Sequence, residues 1–99
     1  MLNRLPATPI VFALSSVLST LASANDAGDC QKYANLAMKD ALYATRCSAI
    51  PRDDARWRND RNYHYQWCMS VSPSASAAES EARRQALIEC GIIYPNTPR

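Results

Sequence analysis

Four cysteines, Cys30, Cys47, Cys68 and Cys90, divide a chain of 99 residues at wide and similar intervals. The gaps between them, 16, 20 and 21 residues, exclude the close C-x2-C pairs that hold structural zinc. An even count in a short exported chain reads instead as a disulfide framework. The N-terminus has the character of an export signal. Arg4 precedes an apolar run from Ile10 to Leu21, which ends in Ala22-Ser23-Ala24, the small-x-small pattern accepted by a signal peptidase. A run of roughly a dozen apolar residues is too short for a spanning helix, which needs about 20. Residues 1–24 are therefore read as a cleavable signal peptide, with cleavage before Asn25. Residues 25–99 form one disulfide-stabilised domain, expected in the periplasm or secreted, with no stable membrane anchor after cleavage.

The mature part has little from which to build a core. Of its 33 apolar residues, 12 are alanine, and the one phenylalanine, Phe12, is lost with the signal. A second domain, a deep substrate cavity and a Rossmann or barrel scaffold are excluded on that ground. No nucleotide loop, haem-attachment motif or dense cluster of metal ligands occurs, and no cofactor is expected.

Three stretches have helical character, and the fold class is all-α. From Cys30, apolar or small residues recur at Tyr33, Ala34, Ala37, Met38, Ala41 and Ala44, with Lys32, Asn35, Lys39 and Asp40 on other faces. Asp26 or Asp29 caps this first helix, predicted over 27–47, and Ile50-Pro51 ends it. The second, 54–70, opens on Asp53 and Asp54 and places Trp57, His64, Cys68 and Val71 on one stripe. The third, 75–90, has two competing starts: Ser72 with Pro73 in the first turn, or the capping box from Ser76 to Glu79. Ala78, Ala82, Ala86 and Cys90 share one of its sides, beside Leu87. Gly91 is its stop, allowing Ile92 to fold back on Leu87. The tail from Asn96 to Arg99 is expected to fray.

Short connections favour antiparallel neighbours, so the three helices form a small antiparallel bundle. Cys30 and Cys68 then fall at one end, and Cys47 and Cys90 at the other. Of the three connectivities, only Cys30–Cys68 with Cys47–Cys90 joins residues at the same end. A disulfide needs Cα atoms within about 7 Å, whereas helices of this length exceed about 20 Å at 1.5 Å per residue.

The densest chemical segment runs from Trp57 to Cys68. Asp60 and His64, four apart, are expected to be adjacent on the second helix. The pair is read either as structural, with His64 between Trp57 and Trp67 and its ring hydrogen on Asp60, or as ligand- or metal-handling. A hydrolase-like centre on the same pair is a third reading. No strand–turn–helix serine elbow and no second base accompany it, so no catalytic residue is assigned.

Arg52, Arg56, Arg58 and Arg61 interleave with Trp57, Tyr63 and Tyr65, which superficially suits an anionic partner. However, the mature part has ten basic and nine acidic residues, so nucleic acid is not expected as a partner. Arg83-Arg84 is read as a solvated face. Arg58, Arg61, Tyr63 and Tyr65 are the candidate interaction surface, since exposed Tyr and Arg are typical interface anchors. The expected function is thus a non-enzymatic binding module: an accessory subunit, inhibitor or interaction partner of another envelope or secreted protein. Ligand or metal handling by His64 and Asp60 is the alternative.

Three motifs, C-x2-Y-A (Cys30, Tyr33, Ala34), W-x2-D-x3-H-x2-W-C (Trp57, Asp60, His64, Trp67, Cys68) and L-x2-C (Leu87, Cys90), span most of the mature part. In these the chain resembles small exported bacterial four-cysteine helical domains of no established activity. The resemblance implies a bacterial envelope setting and no particular chemistry.

Overall fold

Asp26 opens the first helix. In the computed structural model, which describes residues 24–99, its side chain accepts a hydrogen bond from the Asp29 backbone N–H at 2.7 Å, and α1 runs over Ala27–Ala44. The signal segment expected at the N-terminus lies outside the described residues as far as residue 23. After Ala44 the chain tightens into i→i+3 turns that carry it to Cys47, so α1 stops three residues short of the predicted end.

The predicted second helix is interrupted. A single 3₁₀ turn, Ala55–Trp57, is capped by Asp54, whose Oδ1 accepts from the Arg56 N–H at 2.9 Å. Arg58 is then extended, with φ −62° and ψ 133°, and α2 (Arg61–Met69) starts anew with Asp60 as its N-cap. Two interactions cause the break. The Arg58 carbonyl accepts a hydrogen bond from the His64 ring at 2.7 Å instead of from a helical N–H, and the Asp60 carboxylate accepts from the Tyr63 N–H at 3.1 Å.

Of the two candidate starts for the third helix, Ser72 prevails. Its Oγ accepts from the Ala75 N–H, Pro73 occupies the first turn, and α3 spans Pro73–Glu89. The end is a Schellman motif: Gly91, at φ +73°, donates its N–H to the Ile88 carbonyl, and Ile92 donates to Leu87, each at 2.9 Å. The tail does not fray. Thr97 Oγ1 accepts from the Tyr94 N–H, and Arg99 reaches both the Ser80 carbonyl and the Asp40 carboxylate.

The described residues form an all-α antiparallel three-helix bundle in which α1 is the hub, packing against α2, α3 and the 3₁₀ turn. Ala34 and Ala37 have no exposed surface, and their small side chains let the neighbouring elements approach α1 closely. The disulfides are Cys30–Cys68, with Cα atoms 5.6 Å apart, and Cys47–Cys90, at 6.1 Å. Each staple has its own apolar cluster. Tyr33, Trp67 and Met69 gather at Cys30–Cys68, whereas Ala44, Trp57, Leu87 and Ile93 gather near the other end. Asn25 ties the lower end, its side-chain amide donating to the Cys68 and Val71 carbonyls and to Ser76 Oγ at 3.0–3.1 Å.

Each disulfide closes a loop of about 40 residues, for which the chain-entropy model gives about 4 kcal/mol. Replacing Cys47 and Cys90 together by serine is expected to lower the unfolding free energy by about that amount. Urea denaturation of residues 25–99 measures it, and an unchanged midpoint would show that the bundle does not need its upper staple.

Candidate functional site

Between the two apolar clusters lies a charged layer. Along α1 the inward stripe reads Cys30, Tyr33, Ala37, Asp40 and Ala44, and on α3 it reads Ser76, Arg83 and Leu87. Asp40 and Arg83 therefore meet inside the bundle, contrary to the expectation that Asp40 lies on another face and Arg83 on a solvated one. Arg83 has no exposed surface and Asp40 has 1%. Arg83 Nε donates to Asp40 Oδ2 at 3.1 Å, and Nη1 donates to Tyr33 Oη at 3.0 Å. The guanidinium lies 4.8 Å from the Tyr33 ring centroid. Burial lifts the Asp40 carboxyl above its ordinary range, against the opposing pull of Arg99 and Arg83. Burial likewise raises the Tyr33 phenol, although Arg83 acts against it.

This layer opens on one side into a groove of about 300 Å³. Because α2 and α3 both pack on α1, the space between them is left to side chains. Tyr33 and Arg83 line it from α1 and α3, Tyr63, His64 and Trp67 from α2, and Asp54 to Arg56 from the 3₁₀ turn. Tyr33 and Trp67 rings are 5.6 Å apart. Across the mouth, Arg56 clamps Glu79 with two bonds, Nε to Oε2 at 2.7 Å and Nη2 to Oε1 at 3.2 Å.

The residues singled out in the sequence part company. Arg58 and Tyr63 are brought together, the guanidinium lying 4.3 Å from the ring centroid at the edge of the groove. Arg61 turns to α1, donating to Asn35 Oδ1 at 2.8 Å and to Gln31. Tyr65 packs against the lower apolar cluster. Asp60 and His64 do not form the expected hydrogen bond, because Asp60 caps α2 and the His64 ring is held by the Arg58 carbonyl. A carbonyl only accepts, so Nε2 carries the proton and Nδ1 is bare in the neutral ring. His64 meets Tyr63 edge-on rather than standing between two tryptophans, since Trp57 belongs to the upper cluster.

Tyr33, Arg56, Glu79 and Arg83 were not anticipated. A signal for them exists. Tyr33 and Asp40 are seven apart on α1, and Glu79 and Arg83 are four apart on α3, so each pair shares a helix face. Among the described residues, no group of three or more His, Cys, Asp or Glu side chains is arranged to hold a metal ion.

Two outcomes follow. Arg83→Met leaves Asp40 with one buried counter-charge fewer and is expected to cost about 3–5 kcal/mol, while Asp40→Leu/Arg83→Met together recover most of the loss. Urea unfolding of the three proteins decides it; a single variant as stable as the parent would refute the role of the pair. The second concerns pH. Burial lowers the His64 pKa, with the Arg83 charge in the same sense and the Arg58 carbonyl and Asp60 opposing. The folded value is therefore below the unfolded one, about 6.5. The stability owed to neutral His64 is complete above about pH 6.5 and is lost as pH falls toward the folded value. The His64→Gln variant should show a flatter stability–pH slope in that window, and parallel slopes would exclude the group.

Comparison of the chain with protein-family models, with curated proteins and with solved structures gives no match.

Proposed function

We propose that the chain is an exported, non-enzymatic binding module whose partner, another envelope or secreted protein, docks over the groove between α2 and α3. The single observation behind this reading is the groove itself. It combines the aromatic side chains of Tyr33, Tyr63 and Trp67 with the Arg56–Glu79 pair and is edged by the exposed Arg58 stacked on Tyr63. Tyrosine, tryptophan and arginine around a concavity are the residues that dominate binding energy at protein interfaces. Export is supported by the signal-like N-terminus and by two disulfides, which persist in oxidising compartments. No helix of the described residues is long and apolar enough to cross a membrane.

The alternative, ligand or metal handling by His64 and Asp60, has less to draw on. The Asp60 carboxylate is committed to a helix cap, and the His64 ring is held by the Arg58 carbonyl rather than by Asp60, so the two do not act as a pair. Arg58 and Tyr63 remain from the anticipated surface, whereas Arg61 and Tyr65 support the bundle.

Affinity capture from the native envelope fraction tests the reading, with residues 25–99 as bait beside an Arg58→Ala/Tyr63→Ala variant of the same fold. A partner held by the parent and lost by the variant is the expected result. A folded bait that retains nothing specific would count against a binding module.

A further inference from the structure

The groove already has an internal occupant. Glu79 Oε2, besides its 2.7 Å bond to Arg56, stands 3.9 Å from Arg83 Nη1, so one carboxylate is shared between guanidinium groups from two elements. Arg83 is short of acceptors. Its Nε and Nη1 are engaged, but the buried Nη2 has no hydrogen-bond partner. Its other counter-charge, Asp40, is divided with Arg99. Arg56 and Arg99 each have a further carboxylate acting on them, Asp54 and Glu81, so the unmet demand lies at Arg83. A buried guanidinium N–H without an acceptor is costly, which favours a further anionic acceptor beside Arg83.

We propose that the groove recognises a carboxylate, which takes the seat of Glu79 between Arg56 and Arg83. The inference rests on the groove being a binding site and names what it binds. Glu79 is the movable member, because its side chain is 23% exposed and can turn to water while Arg83 stays enclosed. The seat already fits a planar carboxylate held side-on by a guanidinium fork, the geometry that distinguishes this contact from a point charge. Tyr63 and Trp67 line the same groove and offer apolar surface to the aliphatic stem that carries the incoming group. An acidic side chain of a partner protein and a free small carboxylic acid present the same chemistry.

The test is a titration of residues 25–99 followed by NMR at the Trp67 indole and Arg56 Nε–H signals. The probes are a terminally blocked Ala-Glu-Ala peptide, its Ala-Gln-Ala counterpart, and glutarate. The glutamate peptide should shift both signals saturably, and the glutamine peptide should bind about tenfold more weakly or not at all. Arg56→Gln should weaken the glutamate peptide by about tenfold. Glu79→Gln, which removes the competing negative charge while leaving Arg83 its bonds to Asp40 and Tyr33, should tighten it severalfold. Both variants are first checked for folding by circular dichroism. Shifts from the glutamate peptide alone assign the site to a protein side chain, and equal binding of glutarate assigns it to free acids as well. Absence of shifts, equal binding of the glutamine peptide, or a Glu79→Gln variant that binds no more tightly would overturn the proposal. If these fail while a captured partner is still lost on Arg58→Ala/Tyr63→Ala, only the carboxylate falls. If they succeed and no partner is captured, the protein-binding reading falls and the site stands.

Discussion

The buried guanidinium of Arg83 is the interaction around which the rest of the bundle is arranged. An arginine stays charged at any physiological pH, so burying it obliges the neighbours to supply acceptors and a counter-charge. Asp40 and Tyr33 do this from α1, and Glu79 stands one turn before Arg83 on α3. Those requirements fix the rotation of both helices about their axes. They also divide the interior into an upper and a lower apolar cluster rather than one continuous core. Arg99 closes the arrangement by bringing the C-terminal tail onto Asp40.

The disulfides and the charged layer have complementary roles. Each staple fixes one end of the bundle, where the apolar clusters are small and rich in alanine or cysteine. The charged layer orders the middle, where Tyr33 of the lower cluster meets Arg83. Because buried ion pairs add little net stability over apolar packing, the layer's contribution is register, and the cross-links supply what the thin core lacks. The break before α2 belongs to the same economy of space. Between Trp57 in the upper cluster and Cys68 at the lower staple the chain is kinked, and His64 secures the kink through the Arg58 carbonyl.

That kink also makes the groove. It places the 3₁₀ turn across the top of the gap between α2 and α3, bringing Arg56 to Glu79 at its mouth. In the proposed reading, structural and binding roles are superposed on the same side chains. Glu79 and Arg83 hold the bundle from within, and in the proposed reading Arg56 and Arg83 offer a seat for an acceptor from without. The proposed partner therefore acts on the same charges that set the helix register, which links occupancy of the groove to the stability of the middle layer.

The sequence by itself determined the helical class, the approximate places of three helices, the stop at Gly91 and the disulfide pairing, and it narrowed the first cap to Asp26 or Asp29. These depend on periodicity, local hydrogen bonding and chain reach, all of which operate within a few residues or by elimination among three connectivities. It also offered Arg58, Arg61, Tyr63 and Tyr65 as a surface, of which the structure brings Arg58 and Tyr63 together. Whether Ser72 or Ser76 starts α3, where α2 begins, and which face of α3 is buried were decided only by tertiary structure. An alanine-rich helix has no strong apolar stripe, so its rotation is set by what it meets; here the Arg83–Asp40 contact outweighed the alanine side. Asp60 likewise reads equally well as a helix-interior neighbour of His64 or as a cap. The choice went to the cap because the His64 ring found a backbone carbonyl that exists only when the helix is broken.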